Sequence, residues 1–305
     1  MSPERLFEPF SEASFRSGLA IGVVALLVLV VVARLWRMRW RRACPVAGLF
    51  LAAAGAIAVI QADRPVPGLV GGLIVLGAAG GVVDLKPKSR PFLPVLALPG
   101  TWMIATSIEV DQSWVALAVG AAVAAGGALV VDFDHRWSQR PLAPSMICIS
   151  LVGVFLTVPE TKEALPIVGA ALPLALIGWP TNLASLGAGG SLTATGLLAW
   201  TTAQGGTFRA ASIVGGLACL GMLVAEPLGR LVQRNRSRRR LPRSTGVLLG
   251  VVAVHLMVVF VAARVAGLGD DVTVAVVISA LVLAAGVGAS LAIRSLAVRP
   301  RPQEG

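Results

Sequence analysis

The chain is 305 residues long, 56% hydrophobic and only 13% charged, with a mean hydropathy of +0.83, whereas an average soluble domain has about 25% charged residues. This composition excludes a soluble globular protein and points to an integral membrane protein. Its 26 bases against 15 acids give a formal net charge of +11. In a membrane protein the placement of those charges sets orientation, which leaves nucleic-acid binding as the weaker reading.

The three cysteines, Cys44, Cys148 and Cys219, lie in or beside apolar runs without CxxC spacing, so neither a disulfide framework nor a zinc site is indicated. Only two histidines, His135 and His255, are present and there is no tyrosine. Mechanisms that need a histidine cluster or a phenolic hydroxyl are excluded.

Apolar runs long enough to cross a bilayer as helices number about eleven. In chain order they cover Gly18–Val32, Pro45–Gln61, Pro67–Val83, Phe92–Ser107, Trp114–Val131, Pro144–Val158, Ala164–Ile177, Leu183–Trp200, Ala210–Ala225, Thr245–Ala263 and Val272–Ile293. The segment before the first run holds Glu4, Glu8 and Glu12 rather than a basic stretch, so that run is expected to be a retained helix and not a signal peptide. The expected fold is an all-α polytopic membrane helical bundle. Residues 1–17 form an extracytoplasmic segment, 18–293 a single transmembrane domain and 294–305 a cytoplasmic tail.

Charge alternates between the connecting loops. Five loops on one face, 34–42, 84–90, 132–140, 226–243 and the tail from Arg294, carry twenty bases and five acids, against six bases and ten acids on the other. The excess of Lys and Arg predicts N-terminus out and C-terminus in. Gly-rich stretches at Gly120–Gly127 and Gly187–Gly190 fall inside apolar runs, where small residues let helices approach closely.

Three acids stand on the basic face at span ends: Asp84, Asp132 and Asp134. A carboxylate at a helix C-terminus meets the negative end of the dipole, at a cost of up to about 1 kcal/mol, so something must compensate. Ion pairs with the adjacent Lys86, Lys88 and Arg90, or with His135, Arg136 and Arg140, are one solution; a divalent metal shared with a phosphate-bearing ligand is the other. The arginine-rich loop of Arg230, Arg234, Arg236, Arg238, Arg239, Arg240 and Arg243 suits anionic headgroups and, as the sharper option, a nucleotide or lipid phosphate. Ser145, Thr157, Asn182 and Ser191 are expected to hydrogen-bond between helices. No span carries a charge near its centre, which counts against ion-coupled transport.

The order of these motifs resembles that of the polyprenyl-phosphate N-acetylhexosamine-1-phosphate transferases, bacterial enzymes that load a sugar phosphate from a UDP-sugar onto a lipid carrier. Arg41-Arg42-Ala-Cys-Pro-Val-Ala-Gly48 resembles the family's first basic loop leading into Pro-x-x-Gly-Gly. Gly80-Gly-Val-Val-Asp84-Leu-Lys-Pro-Lys88 resembles the Gly-x-x-Asp-Asp loop, and Val130-Val-Asp-Phe-Asp134 falls where the family has Asp-Gly-x-Asp-Gly. The string from Gly178 to Ser191-Leu resembles Asn-Phe-Pro-Pro-Ala-Arg-x-Phe-x-Gly-Asp-x-Gly-Ser-Leu, and Glu226-Pro-Leu-Gly-Arg230 resembles the family's Pro-Leu-x-Asp helix end.

The departures are equally systematic. Leu85 stands for the second Asp of the pair, Ala188 for the Asp of Gly-Asp-x-Gly-Ser and Arg230 for the Asp after Pro-Leu; the asparagines before Asp132 are absent and no His-x-His-His motif exists. Loss of about 2.7 kcal/mol of transition-state stabilisation is already a hundredfold in rate. The resemblance therefore implies an eroded active site: a pseudoenzyme or regulator that binds polyprenyl phosphate or a UDP-sugar, or a partner of an active paralogue, in the cell's inner (plasma) membrane, as a homodimer or hetero-pair. If catalysis survives, it implies Mg²⁺ held by Asp84, Asp132 and Asp134. Substrate phosphates would be held by Lys86, Lys88, Arg90, Arg230, Arg234 and Arg236, with Asn182 and Ser191 nearby. A lipid or solute transporter and a purely structural partner of a cell-envelope enzyme are the alternatives.

Overall fold

The computed structural model describes residues 12–35, 52, 53, 55–57, 60, 66–108, 164–178, 187–205, 245–266 and 272–297. Its elements are α1 (Ala13–Leu35), α2 (Pro67–Leu85), a 3₁₀ turn (Pro87–Phe92), α3 (Leu93–Thr106), α4 (Ala164–Gly178), α5 (Gly187–Gly205), α6 (Thr245–Ala266) and α7 (Val272–Ala297). No strand occurs among the described residues. Among the described residues three stretches, Ala13–Val31, Pro67–Leu85 and Val276–Ile293, are long and apolar enough to cross a membrane. The apolar runs at positions 45–61, 114–131, 144–158 and 210–225 lie wholly or largely outside the described residues.

α1 packs lengthwise on α4, and glycine makes that contact possible. A Cβ at Gly18 would overlap the carbonyl of Pro166, and one at Gly22 the carbonyl of Ala170, while on the opposing helix Gly169 faces the backbone of Phe15 and Leu19. Glycines four residues apart on one helix thus meet Pro166, Gly169 and Ala170 on the other, the small-residue mode of packing expected where lipid supplies no hydrophobic force between helices. α1 begins at Ala13, inside the segment expected to precede the first span, and Phe15 is buried in this contact.

α2 starts at Pro67, whose missing N–H costs nothing at a helix start. It stops where Lys86 precedes Pro87: with φ −122° and ψ 82°, Lys86 has left the helical region, as a residue before proline tends to. The 3₁₀ turn is closed by the Ser89 N–H and Ser89 Oγ–H, both donating to the Lys86 carbonyl at 2.8 and 2.6 Å. α3 then returns antiparallel to α2, with Gly72 against the Gly100 carbonyl and Ile104, and Gly68 against Met103 and Ser107.

α5 also runs antiparallel to α2, since Gly80 meets Ala188 and Gly189 while Gly196 lies beside Leu76. From Gly187 to Thr201 every residue of α5 is buried, as expected of a helix with no polar face. Its threonines are satisfied within the helix: Thr193, Thr195 and Thr201 donate to the carbonyls of Gly189, Ser191 and Leu197 at 2.9, 2.8 and 2.7 Å. α6 and α7 form a separate antiparallel contact, in which Gly250 faces Ile293.

Candidate functional site

The C-terminal end of α2 meets the N-terminal end of α5, and the junction is built from backbone outward. A Cβ at Gly80 would overlap the N and Cα of Gly189 and stand 2.5 Å from the carbonyl carbon of Ala188. Only glycine permits that approach. Gly187, at the start of α5, has φ 65°, in the left-handed region that L side chains adopt at a cost of about 1–2 kcal/mol.

One turn beyond Gly80, the Asp84 carboxylate receives the two free N–H groups this geometry exposes. Ala188 N–H donates to Asp84 Oδ1 at 2.9 Å, and Gly189 N–H donates to Asp84 Oδ2 at 3.2 Å. The first N–H groups of a helix lack intrahelical partners and carry the positive end of its dipole. Asp84 therefore caps a helix 104 residues away in sequence. It stands at the unfavourable end of its own helix dipole and at the favourable end of its neighbour's.

This is a source of compensation beside the two expected from the sequence. No ion pair joins Asp84 to Lys86, Lys88 or Arg90 among the described residues; Arg90 acts on it through space. Lys86 and Lys88 are exposed on the 3₁₀ turn, and Arg90 is half-buried with its Nε lacking a hydrogen-bond partner.

Of the other expected site residues, Ser191 lies in the first turns of α5, fully buried, with its Oγ making no hydrogen bond. The helix-to-helix bond expected of it is not formed among the described residues. Asp132, Asp134, Asn182, Arg230, Arg234 and Arg236 lie outside the described residues. Among the described residues no three His, Cys, Asp or Glu side chains come together. Of the three carboxylates expected to hold Mg²⁺, only Asp84 lies among the described residues; each of its oxygens accepts one N–H, and its neighbours Leu85 and Ala188 have no ligating side chain.

Sequence reasoning missed the backbone N–H groups of Ala188 and Gly189 as the partners of Asp84. The signal was present in Gly80, four residues before Asp84, and in the Gly187-Ala-Gly-Gly string, the second read as close packing and both as parts of the transferase resemblance. It also passed over His255, which is completely buried near the middle of α6. No protein-family model matches the chain, and no curated protein is significantly similar to it.

Proposed function

We propose that the chain is a multi-pass protein of the inner (plasma) membrane, with about eleven spans, N-terminus out and C-terminus in. In this reading it has the architecture of the polyprenyl-phosphate sugar-1-phosphate transferases and has lost their catalysis. It acts as a binding or regulatory partner in cell-envelope polymer assembly, alone or paired with an active paralogue.

The observation that carries this reading is the meeting of Gly80–Asp84 with Gly187–Ser191. The resemblance assigns these two strings to one active site, and their contact here is a helix cap in which Asp84 accepts N–H groups from Ala188 and Gly189. Ala188, standing for an acid of the family pattern, contributes only its backbone. A carboxylate held this way supports α5, and with Ala188 in place of an acid the junction has one charge fewer for a phosphoryl transfer, which depends on positioned charge around the reacting phosphate.

The test is UMP release by the detergent-purified chain with Mg²⁺, polyprenyl phosphate and a panel of UDP-N-acetylhexosamines. We expect none above background, together with retained binding of polyprenyl phosphate. Turnover that depends on Asp84 would overturn the loss of catalysis.

His255 favours a second reading. An ionisable side chain buried in the middle of an apolar helix is a functional marker in membrane proteins, and it suits a lipid or solute transporter. Substrate flux into liposomes that His255→Leu abolishes would support that reading; no flux for wild type would end it.

A further inference from the structure

The Asp84 cap has a consequence for the turn that follows it. Asp84 is the only acid between Pro67 and Ile108, and Lys86, Lys88 and Arg90 are the only bases there. With one acid against three bases, this stretch carries a net positive charge. Both oxygens of Asp84 accept N–H groups of α5, and no ion pair joins it to the three bases among the described residues, Arg90 alone acting on it through space. The turn presents a local excess of positive charge, with Lys86 and Lys88 exposed to the surroundings.

Its position and shape define what that charge would meet. It directly follows α2, an apolar helix long enough to cross a membrane, so it lies where a span leaves the hydrocarbon. The bases are flanked by exposed apolar side chains, Leu85 at 67% and Phe92 at 63% exposure. Pro87 and Pro91 each fix a backbone angle in the turn, and the two hydrogen bonds that Ser89 donates to the Lys86 carbonyl close it. Cations set between apolar anchors on a preorganised turn match a bilayer surface whose lipids carry phosphate and net negative charge.

We infer that residues 85–92 form a seat for the headgroups of anionic phospholipids, with Lys86, Lys88 and Arg90 facing lipid phosphate and Leu85 and Phe92 entering the acyl boundary. The seat requires only that α2 spans the membrane and is independent of the transferase reading. Its ligand is the bulk anionic lipid of the bilayer rather than a lipid carrier or a free phosphate.

The chain has only three lysines, Lys86, Lys88 and Lys162, which makes amine footprinting specific. The full chain is placed in nanodiscs of phosphatidylcholine alone or mixed with phosphatidylglycerol and labelled with an uncharged acetylating reagent. Labelling of Lys86 and Lys88 is then read by peptide mass spectrometry, with Lys162 as internal reference. We expect labelling of Lys86 and Lys88, relative to Lys162, to slow about fivefold with phosphatidylglycerol, and the effect to shrink at high salt. The double variant Lys88→Gln/Arg90→Gln, confirmed as folded by its helical circular dichroism and elution volume, should lose most of the protection at Lys86. Equal labelling in both lipids, or equal slowing of all three lysines, would overturn the seat. So would protection in phosphatidylcholine discs by inorganic phosphate, or by a trace of polyprenyl phosphate, when phosphatidylglycerol gives none; that result would reassign the bases to a free anion or to the carrier.

Discussion

Two glycine-to-alanine substitutions with the same intrinsic effect should move stability in opposite directions. In a helix interior alanine is favoured over glycine by about 1 kcal/mol, and Gly80 and Gly288 are both interior, in α2 and α7. A Cβ at Gly288 meets nothing within 4 Å, so Gly288→Ala should keep most of that gain. A Cβ at Gly80 overlaps backbone atoms of Gly189, which cannot rotate away, so α2 and α5 must separate. Restoring ordinary contact needs a shift on the order of 1 Å, enough to carry the Asp84 bonds, now 2.9 and 3.2 Å, past hydrogen-bonding distance. Hydrogen bonds to charged groups contribute about 1.5–3 kcal/mol each. Against a propensity gain of about 1 kcal/mol, Gly80→Ala is expected to destabilise by about 2–5 kcal/mol. Unfolding of the purified protein in mixed micelles of rising SDS fraction, followed by circular dichroism, gives both values on one scale. Equal effects of the two substitutions would refute the close approach of α2 to α5 as the source of the junction.

Other residues of the same frame give further expectations. Gly187→Ala places a side chain at φ 65° and should cost about 1–2 kcal/mol in the same unfolding assay; a neutral result would mean that α5 starts differently. Ser191→Ala removes a buried hydroxyl that makes no hydrogen bond, so stability should hold or rise by about 1 kcal/mol, and a marked loss would show that the hydroxyl bonds a neighbouring helix after all. Gly22→Leu drives a bulky side chain into the Ala170 backbone; the variant is expected to yield little monodisperse protein by size-exclusion chromatography, and normal yield would contradict the α1–α4 packing.

Much of the helical layout was legible because the signal for an apolar span is strong and local. The runs at 67–83, 164–177, 245–263 and 272–293 coincide closely with α2, α4, α6 and α7. Ends were less legible where backbone chemistry decides them. The run expected from Phe92 matches α3 to within a residue, but the 3₁₀ turn of Pro87–Phe92 before it was not expected, and the run expected from Leu183 is described as helix only from Gly187. At the site, composition could flag Asp84 as needing compensation but could not name the source. Its partners are backbone N–H groups of Ala188 and Gly189, which have no identity in sequence. A carboxylate placed next to three bases reads as an ion pair until the tertiary fold offers it a helix terminus instead.

The most direct measurement follows two quantities in one preparation of wild type and Asp84→Asn: resistance to SDS unfolding, and UMP release with Mg²⁺, polyprenyl phosphate and UDP-N-acetylhexosamines. The amide can accept only one of the two N–H groups and turns its own donors toward the other. We therefore expect Asp84→Asn to be less stable by about 1–2 kcal/mol, with no UMP release from either protein. Release by wild type that Asp84→Asn abolishes while stability stays the same would contradict it, and would make Asp84 a catalytic carboxylate instead of a cap.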